Sequence, residues 1–217
     1  MLTYAVGDIH GCLDKLKSLI GACRQHAGDE EMLLVFLGDY VDRGPDSAGV
    51  VRYILSLQAD APQRVVALKG NHEAWVLSVL NGEPARTWLR NGGTATLASY
   101  GASNVGGLPA ADLNWMRSLP LTYDDGRRLF VHAGVDPRKP LDAQDEVDLL
   151  WIREPFLHDE RDFGRLIVHG HTPLETAKPD LRPNRLNLDT AAVFGGPLTA
   201  AAFDDTQTVP IAIIQAQ

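Results

Sequence analysis

Residues 32–44 read MLLVFLGDYVDRG: six apolar residues, then glycine, then a run of charged side chains. An apolar run of this length bounded by a turn signal predicts a buried strand that delivers Asp39, Asp42 and Arg43 to its C-terminal end. The same grammar recurs four more times. LTYAV precedes GDIHG (7–11), VVAL precedes KGNHE (69–73), RLFV precedes HAG (132–134), and RLIV precedes HGHT (169–172). These segments carry Asp8, His10, Asn71, His72, His132, His169 and His171, and they hold five of the seven histidines in the chain. Polar ligands at the ends of successive strands turn one sheet edge into a site.

Between the first three segments lie helical patterns. Leu13, Leu16, Leu19, Ile20 and Cys23 share one face, and Val50, Val51, Ile54 and Leu57 share another behind a cap at Asp46 or Ser47. A third helix runs from His72 to the Asn81-Gly82 stop. Strand, ligand loop and helix therefore repeat three times, which predicts an α/β layered fold. Residues 82–120 break the rhythm and read as an accessory segment over the sheet edge of a single 1–217 domain, with a short helix at Ala111–Leu119. Asp125-Gly126 signals a hairpin between Leu121–Tyr123 and Arg127–Val131. The end, from Arg185 to Ile214, reads as short strands.

The length of 217 residues suffices for one sizeable core, and no run approaches the ~18 apolar residues of a membrane span. With no signal-like leader before the first strand, cytoplasmic residence is expected. Cys12 and Cys23, both placed on the first helix, are ~16 Å apart along its axis and cannot form a disulfide. Both are expected to be small buried hydrophobes. A net charge of −8 without long Lys/Arg runs argues against nucleic-acid binding, while leaving room for a phosphorylated substrate at a locally positive site. Oligomeric state is not legible.

The chemistry follows from the ligand types. Asp8 and His10, two apart in extended chain, can address one cation. Asp39 can use both carboxylate oxygens and bridge two. Asn71 offers a carbonyl oxygen, and His132 and His171 offer imidazole nitrogens. Such mixed O/N sets suit Mn, Fe, Zn or Co. Two ions ~3.5–4 Å apart can hold a hydroxide at neutral pH and polarise a phosphoryl group. Alone, each piece is ordinary: a loop Asp-x-His pair, a core histidine, a turn asparagine. Five in order are not.

With GDIHG, GDYVDRG and GNHE as they stand, the chain resembles the phosphoprotein phosphatase family of the calcineurin-like metallophosphoesterases. WLRNGG, VHAG, LLWIRE, VHGHTPL and DTAAVFGGPLT further resemble its bacterial and phage-type serine/threonine members. The resemblance implies a central β-sandwich flanked by helices with a dinuclear site at one edge. It implies a first metal, expected to be Mn, on Asp8, His10 and Asp39, and a second on Asp39, Asn71, His132 and His171. His72 would be the general acid, Asp42 its orienting carboxylate, and Arg43 and Arg153 phosphate clamps. Pro173 stands where other branches carry a further histidine, and Ala191 stands where the late motif usually has glycine. Phosphoserine or phosphothreonine in proteins is the expected substrate, with phosphotyrosine as a further option. The rivals are a diadenosine tetraphosphate hydrolase and a catalytically silent binding protein.

Overall fold

A computed structural model describes residues 1–217. The apolar runs form the expected strands: β1 (Leu2–Val6), β2 (Met32–Phe36), β3 (Val65–Ala67), β4 (Thr122–Asp124), β5 (Arg128–Val131) and β6 (Leu166–His169). They are followed by β7 (Asp180–Leu181), β8 (Arg185–Asn187), β9 (Leu198–Phe203) and β10 (Ala212–Ala216). Two mixed five-stranded sheets result, ordered β10-β9-β1-β2-β3 and β4-β5-β6-β8-β7. β1, β2 and β3 run parallel, as do β5, β6 and β8, so the chain leaves all six at corresponding ends.

The sheets pack face to face. Ala5, Leu33, Val35, Leu37, Leu68, Ala201 and Phe203 of the first meet Phe130, Leu166, Val168, Leu186 and Leu188 of the second in one buried cluster. This is the inward-facing alternation of a β-sandwich. The outer face of the first sheet, with Tyr4, Val6, Leu34 and Phe36, is covered by the helices. These are α1 (Leu13–Ala27), α2 (Ser47–Asp60) and α3 (Asn71–Leu80). Asp46 caps α2 by accepting from the Gly49 amide at 2.8 Å. The outer face of the second sheet carries Leu129, Val131 and Ile167, packed on Val135, Leu149 and Phe156 around a short helix at Glu146–Trp151.

Residues 82–120 do more than lie over an edge. They fold into α4 (Arg86–Trp88), a kinked turn at Leu89–Gly93, α5 (Thr94–Tyr100) and α6 (Ala110–Ser118), and they place Trp88, Leu113, Met116 and Leu119 in the main core. Cys12 also departs from expectation, since it precedes α1 and is only half-buried, whereas Cys23 is fully buried; both are free. No helix is long and apolar enough to cross a membrane.

Candidate metal centre and active site

At the C-terminal ends of the parallel strands the backbone leaves the extended region sharply. Among the seven non-glycine residues with positive φ, five are predicted site residues: His10 (46°), Asp39 (54°), Asp42 (72°), Arg43 (67°) and His171 (65°). Strain of this kind persists only where the surroundings over-determine it. It also corrects one expectation, because His10 is in left-handed rather than extended backbone. Asp8 and His10 therefore do not share a direction by simple alternation.

Two groups of ligand atoms converge. His10, Asp39 and His72 form one, and Asp39, His132 and His171 the other, each with its ligand atoms within 4.8 Å of one another. Asp39 belongs to both. Its Oδ2 lies 3.4 Å from His10 Nε2, and its Oδ1 lies 3.4 Å from His132 Nε2. The second ring nitrogen of each histidine fixes the tautomer: Nδ1 of His10 donates to the Val41 carbonyl (2.8 Å), and Nδ1 of His132 donates to that of Leu37 (2.9 Å). Both Nε2 atoms are then bare lone pairs aimed at carboxylate oxygen. Asn71 Oδ1 adds a third acceptor, 2.7 Å from His132 Nε2 and 2.9 Å from His171 Nδ1. Acceptors facing acceptors in a buried site repel unless a cation lies among them, so the donor set fits divalent metal. At His10 the Arg43 guanidinium supplies that positive charge, with Nη1 against Nε2.

Asp8 stands outside both tight groups. Its carboxylate accepts the His171 amide at 3.1 Å through each oxygen. Burial, together with the neighbouring carboxylates of Asp189 and Asp39, pushes it well above the usual carboxylate range. Burial likewise raises Asp39, with Glu73 adding to the effect. The histidines go the other way: burial drives His132 down to about 3 and His171 to about 2, and lowers His10. All are neutral, as metal ligation requires.

His72 presents a different geometry. Its Nδ1 donates to Asp42 Oδ2 at 2.6 Å, while Nε2 is buried, unpartnered and 3.9 Å from Asp39 Oδ2. Asp42 also accepts from Trp88 Nε1 (2.9 Å) and Thr96 Oγ1 (2.6 Å). Burial pushes Asp42 up to about 7 and His72 down to about 3. The donors around Asp42 favour its ionised form, and ionised Asp42 favours a proton on His72. A bare Nε2 held by a carboxylate behind it is the arrangement of a general acid–base group.

Sequence reading missed several residues that build this site. Glu73 is fully buried, and its carboxylate accepts the backbone amides of Asp39, Tyr40, Val41 and Gly70 at 2.8–3.2 Å. It thereby holds the GDYVDRG loop in its strained path. Its place in GNHE was the only available signal. Gly70 is required by close approach, since a Cβ there would meet Asp39 Oδ1 at 2.2 Å. Trp88 and Thr96, which hold Asp42, come from 82–120. Asp189, buried beside Asp8 and raised to about 6 by burial, comes from the late motif. Ala191 does adopt left-handed backbone (φ 59°), and Lys15 Nζ ties down the following turn through the Ala192 and Gly196 carbonyls.

A cavity of about 290 Å³ opens over the centre, lined by Asp39, Arg43, Asn71, Trp75, Asn91, Trp151, Arg153, His171 and Pro173. Arg153 is exposed at its rim. His169 is not brought in: its Nδ1 donates to the Gly170 carbonyl and its ring packs on Phe156. His26 and His158 are exposed, although His26 accepts the buried Tyr4 hydroxyl at 2.8 Å. A larger cavity of about 550 Å³ beside β7 and β8 holds none of the predicted site residues, so chemistry rather than size places the centre.

Residues 1–199 match the calcineurin-like phosphoesterase family. The chain belongs to that family. The phosphoesterase is 32% identical to serine/threonine-protein phosphatase 1 of Salmonella typhimurium, over 91% of this chain and 90% of that protein. It is 34% identical to a symmetrical bis(5'-nucleosyl)-tetraphosphatase of Dechloromonas aromatica, over 97% and 96%. A solved structure described as a candidate diadenosine tetraphosphatase superposes with TM-score 0.74 at 25% identity, covering 100% of this chain and 94% of that one. The family is dinuclear and metal-dependent, and the phosphoesterase has the His/Asp groups to match.

Proposed function

We propose that the chain is a metal-dependent phosphomonoesterase acting on phosphorylated protein side chains. The observation that carries this is the cavity: about 290 Å³ with two arginines at its mouth. That is room for one phosphoryl group and part of its leaving group, at the lower edge of the roughly 300–1,000 Å³ of sites that enclose a small ligand. Asp8, His10 and Asp39 would hold one divalent ion, and Asp39, Asn71, His132 and His171 the other, Mn being the expected occupant. Bound there, the ions would supply positive charge for the phosphoryl oxygens and an activated water.

The side chains do the rest. Arg43 and Arg153 bind the peripheral phosphoryl oxygens, whose charge a guanidinium matches in geometry and sign. Arg43 must leave His10 to do so. Its Cζ already lies 5.6 Å from the Phe194 ring, a shelf that can take it. His72 takes up a proton on Nε2 from solvent, its charge balanced by ionised Asp42, and gives that proton to the leaving oxygen. No serine, threonine or cysteine lines the cavity, and its Asp39 and His171 are the groups that would be committed to metal, so water is the nucleophile this reading assigns.

The tetraphosphatase relatives support a second reading, hydrolysis of dinucleoside polyphosphates. The alignment with the Dechloromonas enzyme runs over 281 positions against 217 residues here, so it carries long gaps in this chain. A cavity of about 290 Å³ takes one phosphoryl group more readily than it encloses a dinucleotide, which favours the protein substrate. The test compares kcat/KM for phosphoserine or phosphothreonine peptides with that for diadenosine tetraphosphate in Mn-loaded protein. The peptide is expected to win. A preference of about tenfold the other way, equivalent to ~1.4 kcal/mol of transition-state binding, would establish the nucleotide reading instead.

A further inference from the structure

Four tryptophans occur in the chain, and the structure divides them into two kinds. Trp88 and Trp115 donate their indole N–H to Asp42 and Gln58 and pack into or against the main core. Trp75 and Trp151 make no side-chain hydrogen bond to the protein. They are half-buried and line the cavity over the metal centre. Their ring centroids are 4.8 Å apart at 73°. Trp75 stands 5.2 Å from the His72 ring at 89°, and Trp151 stands 6.1 Å from His171 at 83°. A chain of edge-to-face rings thus runs from the proposed acid, along one wall, to a proposed metal ligand.

We propose that Trp75 and Trp151 form the wall against which the leaving group lies, and that this wall selects a planar aromatic leaving group, making phosphotyrosine the preferred side chain. This rests on the phosphatase reading above. The leaving oxygen must sit beside His72 Nε2 to receive its proton. Whatever is bonded to that oxygen extends next to Trp75, which abuts the same imidazole. A serine methylene offers the indoles almost nothing, whereas a tyrosine ring offers a face or an edge at stacking distance. The indole N–H groups, with no protein acceptor, remain available to a peptide carbonyl.

Two non-hydrolysable inhibitors test the wall without involving proton transfer: benzylphosphonate and ethylphosphonate, assayed against Mn-loaded protein. Benzylphosphonate is expected to bind at least about tenfold more tightly. Trp75→Leu is expected to shrink that ratio several-fold, and Trp75→Phe to restore most of it, with melting temperature and Mn content confirming that each variant is folded and loaded. Matched phosphotyrosine and phosphoserine peptides should show the same change in their kcat/KM ratio. Comparing ratios between variants cancels the intrinsic advantage of an aryl leaving group. An inhibitor ratio near one in the wild type, or a ratio indifferent to Trp75→Leu, would overturn the proposal. If diadenosine tetraphosphate outcompetes every peptide while the inhibitor ratios behave as expected, the wall stands and the phosphatase reading falls.

Discussion

Asp39 and His72 come within 3.9 Å of each other, yet their substitutions should fail in different ways. Asp39→Asn removes a charge that faces both histidine groups, so Mn content measured by atomic emission should fall together with activity. His72→Asn should keep its metal and lower kcat by ~10²–10⁴ on alkyl phosphates, the range of general acid–base loss. The deficit should shrink on nitrophenyl phosphate, whose leaving group needs no proton. Equal losses on both substrates would show that His72 is not the acid. Glu73 is a third case. Glu73→Gln keeps the shape but turns an amide NH₂ toward backbone donors, leaving two buried N–H groups unpaired, since each carboxylate oxygen accepts two amides. That should cost on the order of 2–4 kcal/mol in urea unfolding and weaken Mn binding by titration calorimetry, because the loop bearing Asp39 is released.

The 82–100 stretch, part of the segment that reads as accessory in the sequence, helps to build the site. From α4 and α5 it sends Trp88 and Thr96 to Asp42, and from the intervening turn the Gly92 carbonyl accepts the Arg43 amide at 3.2 Å. A Cβ at Gly92, where φ is 114°, would meet Arg43 N at 2.5 Å, which binds this turn to glycine. Thr96→Val deletes a donor to Asp42 Oδ1 and an acceptor for the Asp42 amide (2.8 Å). Stability should fall by about 1–3 kcal/mol. kcat on alkyl phosphates should fall more than on aryl phosphates, since the imidazole would be less firmly held. A uniform kcat loss on both classes would argue that the threonine matters only for packing.

Across the whole molecule, two sets of buried groups give pH opposite effects. Asp8, Asp39 and Asp189 have folded-state values raised by burial, Asp189 to about 6. The stability they contribute to metal-free protein is full below the unfolded value and is lost as pH rises through the folded one. His72, His132 and His169, lowered to about 3, and His171, lowered to about 2, act inversely. Their contribution is present above ~6.5 and is lost as pH falls toward their folded values. Cations require the carboxylates ionised but find the imidazoles already neutral. Protons therefore compete with metal mainly at the acids. The rise in Tm on adding excess Mn should be several degrees larger at about pH 7.5 than at about pH 5.5. A constant increment would mean that Asp8 and Asp39 are ionised throughout. Chelated protein should lose aryl-phosphate hydrolysis and regain it with Mn.

The strands ending in ligand loops, the helices between them, the Asp125-Gly126 hairpin and the metal-type residues were all legible in the sequence. Each is set by local information: a period of apolar residues, a glycine turn, a side chain at a strand end. Parallel strands then bring those ends to one edge almost without further instruction. What needed the tertiary structure is everything that depends on residues far apart in the chain. Glu73 gathering four amides around the GDYVDRG loop, Trp88 and Thr96 fixing Asp42 from the accessory segment, and Asp189 lying beside Asp8 are contacts with no sequence period. Aromatic residues make up only 7% of the chain and Trp75 and Trp151 lie 76 positions apart, yet packing sets them side by side over the candidate metal centre. Sequence spacing names the atoms that can ligate or transfer a proton. Only long-range packing decides which of them share a cavity, how far each is desolvated, and what shape of leaving group fits beside them.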